Sequence, residues 1–192
     1  MNQNIDFKHH ADIAWQLTLR HLFPLVLLTL VTATVGVLSL GLFAPAAMAG
    51  YVSAVLQMVR TGREPDLRDV FSQIRLAIPL LGFSLAALLL IVLGYAVLVV
   101  PGIAVSLGIT YASLYVIPLM IDRNLGIVDA VKASARIAMA PPVMDNILVA
   151  LVVVGLWGIG GSVVIGWLFT QPLATIFLVS IYDSKTGSLD AP

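Results

Sequence analysis

The residues best suited to chemistry lie near the start of the chain. Asp6 precedes His9 and His10 by three and four residues, a spacing that places its carboxylate beside either imidazole on one side of a helix. Such a pair is a weak metal site, and the spacing shows no third ligand. A solvated polar helix face is therefore the favoured interpretation, and no metal site is predicted.

A third histidine, His21, follows Trp15 by six residues and could bind a haem or a chlorin. An isolated histidine at the end of an apolar run is better explained as an anchor at the lipid headgroups. The chain has no cysteine, and it lacks nucleophile elbows, P-loops, dinucleotide fingerprints and zinc spacings. We therefore predict no catalytic or cofactor-binding residue, no cofactor, and a protein that is not an enzyme.

Basic residues next to apolar runs form the second group of candidate functional residues. Such groups attract anionic lipid headgroups by about 1 kcal/mol each. Neighbouring acidic residues weaken this attraction, and a role in setting membrane topology accounts for most of the pattern. The candidate headgroup contacts are Arg60, Arg63, Arg68, Arg75, Arg123, Lys132 and Arg136.

The composition then defines the class of protein. Apolar residues make up 60% of the chain and charged residues 10%, and ten basic residues balance ten acidic ones. This excludes a soluble domain of ordinary composition and a nucleic-acid binder. The charges leave three uncharged runs, 22–59, 76–121 and 146–182, each about long enough for two helices of roughly 20 residues.

Helix-breaking residues lie near the middle of each uncharged run, where a tight turn between two spans would need them. They are Gly41 and Pro45, Pro101 and Gly102, and Gly158, Gly160 and Gly161. The predicted fold is therefore an all-α integral membrane protein in one domain, with six transmembrane helices in three hairpins. Its segments are an amphipathic start (1–21), hairpin 1 (22–59), an amphipathic segment (60–78), hairpin 2 (76–121), a second such segment (122–145), hairpin 3 (146–182) and a tail (183–192).

The distribution of charge predicts the orientation. If each uncharged run is a hairpin, every Lys and Arg lies on one side of the membrane, which the positive-inside rule identifies as cytoplasmic. We therefore expect a multi-pass protein of a prokaryotic inner membrane with both termini in the cytoplasm. The charged segments are predicted to be amphipathic helices that lie in the headgroup plane or cover the ends of the bundle.

The charged segments also resemble one another. An Asp is followed about two helical turns later by an Arg and then by a Pro, and this order occurs three times, beginning at Asp12, Asp69 and Asp129. The pattern predicts three copies of one unit, an amphipathic helix followed by a hairpin.

No Asp, Glu, Lys, Arg or His lies within the predicted spans. This argues against ion-coupled transport through carboxylates, an intramembrane aspartic protease and a voltage sensor. Prolines, small residues and a serine remain as candidate structural or hinge positions, and the packing of helices is favoured over a gate. These candidates are Pro101, Gly102, Pro118, Ser134 and Pro172.

The segment 99–134 carries a family resemblance. It contains Pro101-Gly102-Ile103, Ile117-Pro118-Leu119 and Ala130-Val131-Lys132-Ala133-Ser134, and Gln171-Pro172 with Tyr182 follows later. The chain resembles the YciC-like six-span bacterial membrane proteins and is similar to the membrane domain fused to some glycerophosphodiester phosphodiesterases. The resemblance implies six spans, and it supplies no catalytic residues.

Three functions remain open. The leading hypothesis is a non-enzymatic scaffold or accessory subunit, with membrane lipids, further copies of the chain or other membrane proteins as partners. The alternative is a small-solute or lipid permease built from the repeated hairpins. The third is an intramembrane or interfacial enzyme using His9, His10 and Asp12. Neither a substrate nor a specific partner follows from the sequence.

Overall fold

The computed structural model describes residues 5–161 and 164–187, and this part of the chain contains helices and no strand. The helices, in order, are α1 (Phe7–Arg20), α2 (Leu22–Leu38), α3 (Ala44–Thr61), the 3-10 turns η1 (Leu67–Phe71) and η2 (Ile74–Leu76), α4 (Ala77–Val97), α5 (Val99–Ala112), α6 (Val116–Asp122), α7 (Ile127–Met139), α8 (Val143–Gly161) and α9 (Val164–Gly187). The predicted all-α class is confirmed for these residues.

Three helical stretches are long and apolar enough to cross a membrane. They are Leu67–Val97, Val99–Asp122 and Val143–Gly160. Helices α1 and α2 would supply a fourth if they form one span, although they meet at an angle of 88°. The helices are thus compatible with insertion into a membrane, with three or four candidate spans by length and composition.

The turn between α2 and α3 lies where the sequence predicts it. Gly41 adopts a φ of 87°, a left-handed conformation that glycine reaches without strain. Its N–H donates to the carbonyl of Gly36 at 2.7 Å, which closes the end of α2. Pro45 lies in the first turn of α3, where the missing N–H costs no helical hydrogen bond.

The other two predicted turns differ. The break between α4 and α5 is at Leu98, which is extended, whereas Pro101 and Gly102 lie inside α5. Gly102 permits a close contact instead, because a Cβ there would lie 2.5 Å from the ring of Tyr95. Helix α8 continues through Gly158 and Gly160 and ends at Gly161, and α9 begins at Val164. Gly158 therefore lies inside a helix, whereas Gly161 is the last helical residue before residues 162 and 163, which lie outside the described part of the chain.

Two of the three predicted amphipathic segments form one α-helix each, and the third does not. The two helices are α7 and α1, of which the described part begins at Phe7. The segment between α3 and α4 is not a continuous α-helix. Its backbone forms η1 and η2, and Asp66 caps η1 by accepting from the N–H of Arg68 while Asp69 accepts from the N–H of Asp66. These local side-chain bonds compete with α-helical ones, which is the physical reason for the difference.

Contacts between helices follow a cyclic order. Within the consecutive pairs, α2 packs on α3, α4 on α5 and α8 on α9. In the second pair, α5 and α6 together form the second helix, because they make up one apolar stretch, Val99–Asp122. The segment preceding each pair packs on the second helix of another pair: α1 on α9, η1 on α3, and α7 on α6. The first helices repeat this relation, since α2 contacts α9, α4 contacts α3 and α8 contacts α5. This threefold pattern agrees with the three-copy repeat in the sequence.

Candidate functional site

The second helices of the three pairs end at one charged cluster, which we call the Arg60 cluster. It consists of Arg60 at the end of α3, Asp122 at the end of α6, and Asp183 with Tyr182 on α9. The Arg60 guanidinium donates to both carboxylates, at 2.6 Å from Nε to Asp183 Oδ1 and at 3.1 Å from Nη2 to Asp122 Oδ2. Tyr182 Oη donates to Asp122 at 3.0 Å.

The charges in the Arg60 cluster stabilise one another. The hydrogen bond with Asp122 raises the pKa of Arg60, and the bond from Arg60 lowers the pKa of Asp122. All three side chains are partly accessible, with 36%, 18% and 35% of the side chains of Arg60, Asp122 and Asp183 exposed. The cluster is therefore charged at neutral pH and joins three helices that are distant in sequence.

A second polar network lies beside the first. Lys185 Nζ donates to Asn146 Oδ1 at 2.6 Å, and Tyr115 Oη lies 3.2 Å from the same oxygen. The Asn146 amide group donates to the carbonyls of Ile137 and Ala140 at the end of α7. Desolvation lowers the pKa of Lys185, and Asp145 opposes this shift. These hydrogen bonds link α7, α8 and α9 to Tyr115, which lies in the break between α5 and α6.

The α5–α6 break explains two of the candidate hinge residues. Pro118 lacks an N–H and cannot bond to the carbonyl of Leu114, and it lies in the first turn of α6, after the break. The break leaves the N–H of Tyr115 without a helical acceptor, and Ser134 Oγ on α7 accepts it at 3.0 Å. Ser134 is fully buried, so its hydroxyl binds α7 to the break.

Pro172 is buried inside α9, which remains a continuous helix through it. The adjacent Gln171 lies with its Nε2 at 3.4 Å from the sulfur of Met48 on α3. Pro101 likewise lies inside a helix, within the first turn of α5, and is half-buried.

An apolar cavity lies one to two helical turns from the Arg60 cluster along the same three helices. Its volume is about 460 Å³. Val52 of α3, Pro118 of α6 and Leu178 of α9 line it, together with residues of α4, α5 and α8. An engineered cavity of roughly 150 Å³ holds one benzene molecule, so this space is large enough for an apolar ligand.

Four hydroxyl groups line the cavity. Ser84 and Thr175 each donate to the carbonyl four residues earlier in their own helices. Thr110 and Ser113, at the end of α5, also line the cavity. The lining is otherwise hydrocarbon and aromatic, which suits a ligand with few polar groups.

The three histidines lie in different environments, although the rings of His9 and His10 are in edge contact with centroids 5.6 Å apart. His10 is buried, and its Nδ1 lies 2.7 Å from Ser180 Oγ on α9. Burial lowers the pKa of His10, His9 lowers it further, and Asp6 opposes the shift. The prediction of a solvated face is thus wrong for His10, whereas His9 is exposed. His21 lies at the 88° bend between α1 and α2, and the described residues contain no group of three metal-binding side chains.

The seven basic headgroup candidates fall into different environments. Arg60 lies in its cluster, Arg63 binds Asp69 and Gln57, and Arg75 donates to Asn124 at 2.7 Å. Arg68 and Lys132 are exposed. Arg123 and Arg136 line one groove together with Leu119, Leu125 and Ile137.

Sequence reasoning missed the two polar networks. The signal that could have found the Arg60 cluster is the repeat itself, since Arg60, Asp122 and Asp183 each follow directly on one uncharged run. Comparison of the chain with protein-family models, with curated proteins and with solved structures finds no match.

Proposed function

We propose that this chain is an integral membrane protein of six spans in three hairpins, placed in a prokaryotic inner membrane with its charged segments and both termini in the cytoplasm. The three candidate spans and the bent α1–α2 pair support membrane insertion. The additional spans of the proposal are α2, α3 and α9, which extend through uncharged runs. The cyclic helix contacts support three equivalent units.

The proposed function is that of a non-enzymatic scaffold or accessory subunit, whose partners are membrane lipids and either further copies of the chain or other membrane proteins. The Arg60 cluster is the observation that supports it. A cation shared by two carboxylates holds the ends of α3, α6 and α9 together, so these three charged groups are bonded to one another. A bundle whose helix ends are joined in this way can serve as a framework for other molecules.

Native mass spectrometry of the protein, extracted gently from its membrane, tests this function. The expected result is a discrete adduct, either a lipid or a second protein, at fixed stoichiometry. The same preparation in liposomes should transport no solute above the level of empty liposomes. Turnover of a substrate or specific solute flux would contradict the proposal.

The cavity of about 460 Å³ favours one alternative, a permease for a small apolar solute or a lipid. Because the chain has no cysteine, single cysteines at Thr110 and Thr175 can be tested for reaction with a charged, water-soluble thiol reagent. Leu90→Cys, on the exposed side of α4, is the matched control. Reaction at the two cavity positions with protection at position 90 would favour the permease, and uniform protection would favour the scaffold.

We also propose membership of the YciC-like six-span family. The support is the set of short motifs, including Pro101-Gly102-Ile103, and the roles of two motif residues in packing. Pro118 begins α6 after a break, and Ser134 accepts the N–H that this break releases. A helical packing role fits motifs that carry no catalytic group.

A further inference from the structure

We propose that the apolar cavity between the three helix pairs binds one uncharged, single-chain lipid whose head is a hydroxyl group. This cavity has a volume of about 460 Å³, and residues of α3, α4, α5, α6, α8 and α9 line it. The proposal rests on the membrane insertion proposed above. It deepens the scaffold function, because it names the class of lipid that such a bundle holds.

The hydroxyl groups of the cavity differ in whether they are bonded within the protein. Ser84 and Thr175 donate to carbonyls of their own helices, at 2.8 and 2.9 Å. Thr110 lies in the last turn of α5, and Ser113 follows that helix. Within the described part of the chain, neither of these two hydroxyls forms a hydrogen bond. Since an unpaired hydroxyl in an apolar space is costly, the two favour a ligand with a hydrogen-bonding group.

A backbone acceptor lies beside the two hydroxyls in the chain. Leu114 follows Ser113 in the break between α5 and α6, and it lines the cavity. Pro118 has no N–H, so the carbonyl of Leu114 lacks its helical donor. The two hydroxyls can donate to an oxygen atom of a ligand, and this carbonyl can accept from it. An alcohol head both donates and accepts, whereas an ester oxygen only accepts and a hydrocarbon does neither.

The rest of the lining disfavours a charged head. Of the described residues that line the cavity, none is charged. A charged group taken into such a space would need a partner of opposite charge. Arg60, at the end of α3, is already bonded to Asp122 and Asp183. The ligand that fits is therefore uncharged, which distinguishes it from phospholipids and from ionised fatty acids.

The volume and the position of the cavity indicate a single chain taken from the bilayer. An engineered cavity of roughly 150 Å³ holds one benzene molecule, so on this scale about 460 Å³ holds a chain of roughly 18 carbon atoms. A lipid with two acyl chains exceeds this space. Leu88 of α4 and Trp157 of α8 line the cavity and are also exposed. The cavity therefore opens between side chains that face lipid in the proposed membrane protein.

The test uses the full chain in an amphipathic polymer, because a detergent chain would compete for the cavity, and it follows binding by native mass spectrometry. Three probes share a chain of the same length: oleyl alcohol, oleyl sulfate and octadecene. We expect one oleyl alcohol to bind per protein, and to bind more tightly than octadecene. Oleyl sulfate, which carries a permanent charge, should not displace it.

Thr110→Val with Ser113→Ala removes the two unpaired hydroxyls and changes the shape of the cavity little. It should weaken oleyl alcohol binding roughly 25-fold, about fivefold for each neutral hydrogen bond, and leave octadecene binding unchanged. Ser84→Ala with Thr175→Val is the matched control, because it removes cavity hydroxyls that are bonded within their own helices. The control should retain wild-type binding. Equal losses in the two double variants would overturn the proposal, as would equal binding of oleyl alcohol and octadecene to the wild-type protein.

A larger side chain at Ala87, which lines the cavity from α4, tests the location of the site. Ala87→Trp should abolish binding of oleyl alcohol, and binding that persists would place the site elsewhere. Tight binding of oleyl sulfate would contradict an uncharged ligand. A phospholipid that stays bound at one copy and is not displaced by oleyl alcohol would assign the cavity to a two-chain lipid instead. Thermal unfolding of each variant identifies losses that result from misfolding.

Failure of this proposal is separate from failure of the proposed function. The scaffold function fails on solute flux or turnover, and membrane insertion fails on cysteine labelling from the two sides of the membrane. Neither readout depends on the hydroxyl groups of Thr110 and Ser113.

Discussion

Helices α3 and α4 pack against each other, and the burial of their side chains is the opposite of what their hydropathy would predict. Eleven residues of α3 are buried, including Gly50, Tyr51 and Ser53, whereas Leu80 is the one buried residue of α4. Yet α4 is the more apolar of the two, and its exposed side chains include Leu88, Leu89 and Leu90. For a chain inserted in lipid, the most apolar helix lies outside, and small and polar residues mark the interior.

The polar end of α3 provides the strongest test of this comparison. Arg60→Met leaves Asp122 and Asp183 facing each other without the cation they share. We expect the variant to lose about 1–3 kcal/mol of stability, between the values typical of exposed and of buried ion pairs. Thermal unfolding in detergent measures this loss.

Leu89→Ala on the exposed side of α4 is the control for Arg60→Met, and it should change the unfolding temperature little. If both variants are equally destabilised, the division into a packed α3 and a lipid-facing α4 is wrong.

A glycine pair tests the packing of α3 in another way. A Cβ at Gly50 would lie 2.2 Å from the carbonyl oxygen of Val70, so Gly50→Ala must displace η1. We expect a cost of about 1–3 kcal/mol, as for an overpacked core. At Gly82 on α4, no atom of the described residues lies within 4 Å of the added Cβ, apart from the chain neighbours and the helix's own backbone. Gly82→Ala should therefore be neutral or stabilising. Thermal unfolding of the two variants checks this contrast. Equal changes in their unfolding temperatures would contradict it.

A smaller effect is expected where α1 meets α9. Burial lowers the pKa of His10, so the unfolded state binds more protons than the folded state once the pH falls below about 6.5. Docking of α1 should therefore weaken between pH 7.5 and pH 5.5. Asp6 acts against this trend, and His9 acts with it.

Hydrogen exchange of the α1 amides at the two pH values, corrected for the intrinsic rate, measures this weakening. His10→Gln removes the titrating group and should make protection independent of pH in this range. A pH dependence that persists in the variant would assign the effect to other groups.

The sequence predicted the helical class, the α2–α3 turn at Gly41 and the three-copy pattern, because these depend on local composition and spacing. It did not predict the break at Leu98, since Pro101 is equally acceptable in the first turn of a helix. It also missed the bonds from Arg60 to Asp122 and Asp183, which depend on how distant helices pack. The role of the candidate hinge residue Ser134 could not be predicted either, because its Oγ accepts a hydrogen bond from the N–H of Tyr115, a contact that forms only in the folded structure.

The comparison also bears on the first hairpin. Segment η1 follows the charged end of α3 but packs back against it at Gly50, ten residues before Arg60. Segment η1 therefore lies beside Gly50 and not at the charged end of α3. For this reason the α2–α3 pair is the part of the six-span arrangement that most needs an experimental test.

Cysteine labelling from the two sides of oriented membrane vesicles tests the central claim most directly. Single cysteines at Leu40 and Leu98 mark the two described turns, and cysteines at Glu64 and Asn124 mark the charged segments. We predict that a membrane-impermeant reagent labels positions 40 and 98 from the outer side and positions 64 and 124 from the cytoplasmic side. Labelling of positions 40 and 64 from the same side would contradict the account, because α2 and α3 would then enter and leave the membrane on one face.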